Sequence, residues 1–401
     1  MSHDAQKLDP EQFRAPDALR GVGTKALVVG VVGAAATAAG AFLDADRFYV
    51  SYLTGWLLWY TVASGSLGLL LMHHLSGGKW GIVLRRPMEA AARTIPFMAL
   101  LALPMLVSLD KIYLWADRAR VESDELLKHK AVYLNTTAFI GRFVFAMVLF
   151  SVLAYVLSKK SAAQDAQGDV GRAYSMQQVS GLGFLAFVIV TSFVGFDWVM
   201  SVDPYWFSSL YGAIFLSGSA IAALTFLILV ANFLVQRQPM AGVFSSKRFH
   251  DFGTLLFAFV MFFTYLTLSQ FIIAYQGNLP EEVVWFRDRF GGVWGYVAWG
   301  LLLFHFFFPF LILLSRAVKR RAATLAKIAG FVLVMRWLDL VWQSRPSLAH
   351  GGAGGLDFSW IDLTAPLAVG GIWFFFFVRE LAKRPLLPIH DPSLPEALGH
   401  E

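Results

Sequence analysis

Two ionisable residues, Arg336 and Asp339, stand inside the otherwise apolar stretch FVLVMRWLDLVWQS. Because they are three positions apart, they share one face of a helix, and Gln343 lies four positions further along that face. An unpaired arginine at the centre of a membrane helix costs at least about 2.5–3.5 kcal/mol, so the pair must face a protein interior or a water-filled cavity. The spacing predicts either a structural ion pair that ties this helix to its neighbours or a place where protons move through the membrane.

The segment FDWVMSVDPYWFSSLYG, residues 196–212, contains two carboxylates, Asp197 and Asp203. Long runs without any charge lie on both sides of it, so we expect two membrane helices joined by a very short connection. Consecutive antiparallel helices are usually neighbours, and a salt bridge between Arg142 and Asp197 is therefore predicted. Asp203 precedes Pro204, a pattern typical of a turn or a helix start. Asp203 is therefore interpreted either as a capping residue or as a group on a proton path.

Histidines could ligate a haem or carry protons, and one of the nine, His305, lies deep in a predicted membrane helix. A b-type haem between helices usually needs two such ligands. No second deep histidine is present, so an intramembrane bis-histidine haem is not expected. The alternatives for His305 are a hydrogen-bonded core residue beside a kink at Pro309 and a proton-path residue. His250 and Asp251 begin another helix, where they form either a favourable helix N-terminus or an entrance for cytoplasmic protons, with Tyr265 and Gln270 farther along the same helix.

Composition indicates what kind of protein positions these groups. The 401 residues are 57% hydrophobic and 15% charged, whereas soluble domains average about 25% charged residues. These values predict a polytopic membrane protein. The absence of cysteine excludes thiolate ligation of an iron–sulfur cluster, disulfides and a cysteine nucleophile. The net charge of +6 is carried by loops between spans and does not indicate nucleic-acid binding. No phosphate-binding loop or zinc motif occurs.

Hydropathy predicts an all-α integral membrane protein with about ten transmembrane helices, each of roughly 20 apolar residues. The predicted spans are residues 24–43, 50–75, 95–115, 135–158, 174–199, 207–235, 250–275, 293–314, 325–343 and 359–379. They form a transmembrane domain at 24–380. An N-terminal tail at 1–23 precedes it and is expected not to be a signal peptide because it is polar. A proline-rich, polar C-terminal tail at 381–401 follows it and is expected to lie on a surface.

Ten spans place both termini on one side of the membrane. Lys and Arg divide 22 to 9 in favour of that side, while Arg142 and Arg336 lie inside spans. The positive-inside rule therefore predicts that both termini are cytoplasmic and that the segment 196–212 lies at the outer face. From the residues alone, the proton-path candidates are Arg142, Asp197, Asp203, His250, Asp251, His305, Arg336 and Asp339.

Two segments, FDWVMSVDPYWFSSLYG and FHDFGTLLFAFVMFFTYLTLSQFIIAYQGNLPEE, resemble the ActF membrane subunits of bacterial alternative complex III, a quinol:electron-acceptor oxidoreductase. The large membrane subunits of that complex are similar to NrfD/polysulfide-reductase membrane anchors. The resemblance extends over most of the chain, from the first span to the tenth. It implies two four-helix bundles with two further helices, located in the bacterial inner membrane beside a sister NrfD-like subunit, ActC.

The resemblance also implies what such a subunit does. It would scaffold the complex and conduct protons without a redox centre or metal of its own. Haem c and iron–sulfur clusters would belong to partner subunits, a multihaem cytochrome c and an iron–sulfur protein. Menaquinone or ubiquinone would be a ligand of the complex, and no residue of this chain is identified as quinone-binding.

Two functions of other classes remain open. A secondary transporter would also place ionisable groups in the middle of the membrane, but it usually has broken spans around its site. Pro104 and Pro309 are the only such indications. A purely structural membrane anchor would need none of the buried charges to titrate.

Overall fold

The computed structural model describes residues 10–167, 171–348 and 358–394. These residues are all-helical, with no strand among them. Nine of their helices are long and apolar enough to cross a membrane. The protein is therefore a multi-pass, all-α membrane protein, as its composition predicts.

Ten long helical segments make up most of the fold. They are α1 (Asp17–Leu43), α2 (Ala45–Ser76), α3 (Arg85–Leu106), α4 (Thr136–Gln167), α5 (Gly171–Trp198), α6 (Tyr211–Val235), α7 (Ser246–Gly277), α8 (Gly292–Leu314), α9 (Ala322–Leu348) and α10 (Trp360–Leu381). Short helices connect some of them, at Lys79–Ile82, Arg118–Ser123, Glu125–Lys130, Pro280–Phe290 and Arg316–Arg320. The segment α3 consists of three pieces, Arg85–Ala92, Ile95–Leu101 and Leu103–Leu106.

The connections between the helices gather on two opposite faces. On the terminal face, the Leu386 amide donates to the Phe13 carbonyl over 2.7 Å, which brings the two ends of the described chain together. On the other, distal face, the Lys130 ammonium donates to the Pro204 carbonyl over 2.5 Å. The chain therefore crosses between the faces an even number of times, and the segment 196–212 lies opposite the termini.

Helices α2 and α6 form the centre of the fold, because most of their apolar stretch is buried. Small residues allow the two to approach closely: a Cβ added at Gly65 would collide with the Ser219 carbonyl oxygen. Within a membrane, such close packing replaces the hydrophobic effect as the source of helix association. Helices α5, α9 and α10 pack around this centre and bring their polar residues into the interior.

The predicted spans correspond to these helices, but α4 continues to Gln167, beyond the predicted end of its span at 158, and two other spans differ more. The third span was predicted at 95–115, but α3 begins at Arg85 and ends at Leu106. Arg85 and Arg86 are helical because Glu89, one turn later, pairs with both of them. The span predicted at 325–343 lies within α9, which is 27 residues long but is not among the nine apolar helices, since Lys327 and Arg345 flank Arg336 and Asp339.

The predicted tails are more ordered than their polarity indicates. Helix α1 begins at Asp17, inside the predicted N-terminal tail. In the C-terminal tail, the side chains of Leu386 and Leu387 are fully buried. The parts of both tails at 1–9 and 395–401 lie outside the described residues.

Candidate functional site

A buried hydrogen-bonded group lies on α9, in the middle of the membrane domain. Arg336 pairs with Asp339 as predicted, and the Gln343 amide donates to the same Asp339 carboxylate oxygen over 2.6 Å. Arg336 is fully buried. At 1.5 Å per residue, it lies about 21 Å from one end of α9 and about 18 Å from the other. The Arg336–Asp339 prediction, with Gln343 on the same face, is confirmed.

Hydrogen bonds continue from this group to the distal face. The Tyr211 hydroxyl donates to the Gln343 side-chain oxygen over 2.5 Å. Arg289 donates to the backbone carbonyl of Gln343 over 2.6 Å and to the Ser347 hydroxyl over 2.7 Å. The Ser347 hydroxyl in turn donates to the Asp203 carboxylate over 3.1 Å. We call this set, Asp203, Ser347, Arg289, Gln343, Tyr211, Asp339 and Arg336, the distal polar chain.

Arg289 is held in the distal polar chain by the short helix Pro280–Phe290. Its guanidinium lies 3.8 Å from the centroid of the Trp285 ring, and Trp285 stacks on Trp206 with 4.3 Å between ring centroids. Burial lowers the pKa of Arg289, and the Asp203 carboxylate opposes that shift. A guanidinium does not lose its proton in proteins. Arg289 is therefore a fixed positive charge between Asp203 and α9.

Asp203 lies where the distal polar chain reaches the surface. Its carboxylate accepts from the Tyr205 amide over 3.3 Å, in a turn, and α6 begins only at Tyr211. Of the two predicted backbone roles, the turn is correct and the helix start is wrong. Asp203 also lines a pocket of about 280 Å³ on the distal face, together with Lys130, Tyr133 and Trp206. A half-buried carboxylate thus connects a surface pocket with buried hydrogen-bonding groups.

His305 lies beyond the inner end of the distal polar chain. It is part of a π-helical turn, Leu302–Phe307, that interrupts α8. The Phe263 ring lies between it and the chain, 5.4 Å from the His305 ring centroid and 5.3 Å from the Arg336 guanidinium carbon. The Nε2 atom of His305 is buried without a hydrogen-bond partner among the described residues. The Nε2 atom therefore lacks the hydrogen bond that a core histidine would be expected to make. The kink in α8 is a π turn, a feature frequent at functional sites.

Further buried polar atoms along this route have no partner. Within the described part of the chain, Nε and one terminal nitrogen of Arg336, Nε of Arg289 and the indole nitrogen of Trp206 are all buried without a hydrogen bond to protein. Buried polar groups in native proteins normally bond to protein or to ordered water. The distal polar chain is therefore expected to hold bound water.

Arg142 and Asp197 form the predicted salt bridge, which is confirmed. The guanidinium donates two hydrogen bonds to the Asp197 carboxylate, over 2.8 and 2.9 Å. The Tyr133 ring lies 3.8 Å from the Arg142 guanidinium carbon. This pair ties α4 to α5, and none of its hydrogen bonds leads to α9, so it is separate from the distal polar chain.

His250 and Asp251 lie on the terminal face. Asp251 accepts from Arg248 over 2.9 Å, and both line a groove of about 510 Å³. Farther along α7, Gln270 is buried and accepts from Ser208, but Tyr265 is 66% exposed on the outside of the bundle. The expected route up α7 through Tyr265 is therefore wrong, because that side chain faces away from the interior. The eight candidate residues fall into separate clusters rather than one continuous series.

Several functional candidates were missed by sequence reasoning. Arg289 and Ser347 of the distal polar chain lie on elements far apart in sequence, so no local spacing indicates their contact. On the distal face, Asp362 accepts from Ser51 over 2.6 Å and from Arg345 over 2.9 Å. The missed cluster on the terminal face contains Arg85, Arg86, Glu89, Asp165 and Asp391. Only its RRPME motif, with Glu three and four positions after the arginines, was a visible signal.

Among the described residues, no group of three or more His, Asp or Glu is placed to hold a metal ion. The chain matches no protein-family model, and no curated protein matches it either.

Proposed function

We propose that this chain is a membrane subunit of a quinol:cytochrome c, or other electron-acceptor, oxidoreductase, and that the distal polar chain conducts protons. The observation that carries the proton role is the hydrogen-bonded series from a surface carboxylate, Asp203, to a mid-membrane carboxylate, Asp339. Ionisable residues inside a membrane are costly and typically belong to ion or proton pathways. The resemblance to the ActF subunits supports the assignment to a quinol-oxidising complex.

The residues of the distal polar chain would have three different roles in proton conduction. Asp203 and Asp339 are its carboxylates, and they would take up and release protons. The hydroxyl groups of Ser347 and Tyr211 and the bound water expected beside them can both donate and accept, as a relay requires. Arg289 and Arg336 keep their charge, so they would stabilise the ionised carboxylates and repel other cations.

The finer arrangement belongs to the same proposal. Helix α9 would be a tenth span, and the ten spans would form two four-helix bundles with two further helices. Both termini would be cytoplasmic in the bacterial inner membrane. The partners would be the lipid bilayer, an ActC-like sister subunit, and iron–sulfur and multihaem cytochrome c subunits. Those partners would carry the haem c and iron–sulfur clusters and the quinol oxidation itself.

The partner assignment is tested by purification. An affinity-tagged chain, extracted from its native membrane in a mild detergent, should bring down an iron–sulfur protein and a multihaem cytochrome c. Haem staining and mass spectrometry of the eluate would identify them. Recovery of the tagged chain alone would contradict membership of such a complex.

The proton role is tested by Asp203→Asn in the purified complex reconstituted into liposomes. The amide oxygen can still accept from Ser347, so folding should be retained, while the group no longer titrates. We expect quinol oxidation to continue and the number of protons translocated per electron to fall. Glu122→Gln is the matched control, because Glu122 is an exposed carboxylate on the same face. Unchanged translocation in Asp203→Asn would contradict a proton path through Asp203.

A secondary transporter is the second candidate, and two broken helices favour it. Segment α3 is divided into three pieces, and α8 contains the π turn at His305. Transporters bind substrates and coupling ions at such interruptions. The distal polar chain, however, ends on α9, which is a continuous helix. Uptake of solutes by liposomes that contain only this chain would favour the transporter over the complex subunit.

A further inference from the structure

A small polar cavity opens on the terminal face, away from the distal polar chain. It has a volume of about 70 Å³ and lies between the start of α3, the C-terminal third of α4, the end of α10 and the residues that follow α10. Pockets for drug-sized ligands measure about 300–1,000 Å³, so this cavity suits only a small group. Among its lining residues, four are cations and two are carboxylates: Arg86, Arg93, Lys383 and Arg384, with Glu89 and Glu380. The lining therefore holds two more cations than acids, and one of the cations, Arg86, also pairs with Asp165 outside the lining.

Two buried donors in this lining have no partner. Arg86 is 2% exposed, and its Nε–H finds no acceptor among the described residues. Ser158 is 1% exposed, and its hydroxyl is likewise unpaired. An unsatisfied buried donor costs about as much as a lost hydrogen bond and calls for a partner that is not protein.

The existing ion pairs leave two buried donors of the lining unused. Arg86 donates three of its five N–H groups to Glu89, Ser161 and Asp165, and its Nε–H has no acceptor among the described residues. Glu89 is shared between Arg85, Arg86 and Arg384. Glu380, the other acid of the lining, pairs with Arg93 and Lys383. Because both carboxylates are engaged by cations, the unused donors of Arg86 and Ser158 are open to an additional oxyanion.

The mouth of the cavity lies at the end of a candidate membrane helix, where we expect the membrane surface. Helix α10 ends at Leu381, and Lys383 and Arg384 follow it directly. Arg93 lies 5.2 Å from the ring centroid of Tyr155, which is half exposed on α4. Aromatic rings beside cations are typical of the bilayer interface, where basic pockets between helices bind anionic headgroups.

We propose that this cavity binds one phosphate group, with Ser158 and Arg86 as buried donors and Arg93, Lys383 and Arg384 as the surrounding cations. Charged oxygens form hydrogen bonds about twice as strong as neutral ones, and arginine is the preferred partner of phosphate. The phosphate belongs either to an anionic phospholipid or to the aqueous phase. The proposal does not depend on the proton role or on the partners of the chain.

The test is calorimetric titration of the full-length chain in a nonionic detergent. The probes are short-chain phosphatidylglycerol, short-chain phosphatidylcholine and inorganic phosphate. Saturable one-to-one binding of phosphatidylglycerol alone supports a lipid site, and equal binding of inorganic phosphate supports a free-anion site. Absence of saturable binding with phosphatidylglycerol and with inorganic phosphate overturns the proposal and leaves the cavity to water.

Variants identify the residues. Ser158→Ala removes one donor and leaves every ion pair intact, so binding should weaken about tenfold, the effect of losing one hydrogen bond to a charged group. Lys383→Gln should weaken binding and reduce its dependence on salt. Lys159→Gln is the matched control: Lys159 neighbours Ser158 and also lies beside Tyr155, but it does not line the cavity. Wild-type affinity in both Ser158→Ala and Lys383→Gln would overturn the assignment.

Discussion

Asp339 accepts hydrogen bonds from two residues of its own helix, and this determines how it should respond to substitution. One carboxylate oxygen receives both the Arg336 guanidinium and the Gln343 amide. The Gln343 side chain is fixed in orientation, because its oxygen accepts from Tyr211. The contacts of Asp339 with Arg336 and Gln343 lie within eight residues of one helix, so the i, i+3 and i, i+4 spacing was sufficient to predict them. The link from Arg289 through Ser347 to Asp203 joins three elements, and no sequence spacing encodes it.

At Asp339, replacement by Asn separates a proton role from a structural one. The Asn oxygen can still accept from Arg336, so the complex should assemble, but proton translocation per electron should fall because the amide does not titrate. Asp339→Leu is the reference for a lost partner, since it leaves Arg336 buried without an acid at a cost of about 3–5 kcal/mol. Native gels report assembly, and proteoliposomes report proton movement. If Asp339→Asn is as unstable as Asp339→Leu, the ion pair is structural; if it assembles and pumps normally, Asp339 has neither role.

At the scale of elements, α1 depends on small residues for its position. It packs along α10, where a Cβ at Gly30 would lie 2.5 Å from the Ile372 backbone nitrogen and one at Gly33 would lie 2.9 Å from that of Ala368. The first span is rich in glycine and alanine, which favours close helix packing, but its sequence does not identify the partner. The partner is the last helix, more than 300 residues away in sequence. Hydropathy detects spans well and says nothing of which span contacts which.

Replacement of Gly30 by Ala should therefore disturb the packing of α1 against α10 and destabilise the fold. The new methyl group meets backbone that cannot move aside cheaply, and overpacking of this kind costs about 1–3 kcal/mol. Gly21→Ala is the control in the same helix, because nothing lies within 4 Å of its added Cβ. There the higher helix propensity of alanine should leave stability unchanged or raise it by up to about 1 kcal/mol. Thermal unfolding in detergent measures both, and an equal effect of the two substitutions would contradict the close α1–α10 contact.

For the whole molecule, the two faces differ in how their charges are used. On the terminal face, the C-terminal segment returns to the helix bundle, and Asp391 pairs with the buried Arg85 over 2.6 Å. The polar composition of the C-terminal tail predicted a surface segment, since nothing local reveals that Leu386, Leu387 and Leu394 are buried. On the distal face, the distal polar chain places charged residues from the surface, at Asp203, to the middle of the membrane domain, at Asp339. The even number of crossings follows from the contact between Phe13 and Leu386.

The excess of Lys and Arg on the terminal face predicts that this face is cytoplasmic, and the orientation can be measured directly. The chain has no cysteine, so single cysteines can be introduced without background labelling. Ser123→Cys places a thiol at an exposed position on the distal face, and Ala241→Cys places one in the exposed connection between α6 and α7 on the terminal face. A membrane-impermeant maleimide should label Ser123→Cys in cells whose inner membrane is intact, and Ala241→Cys only after that membrane is permeabilised. The reverse pattern would invert the topology, so that the proposed proton path would open to the cytoplasm. Equal labelling of both variants in intact cells would contradict the assignment of these positions to opposite faces of the membrane.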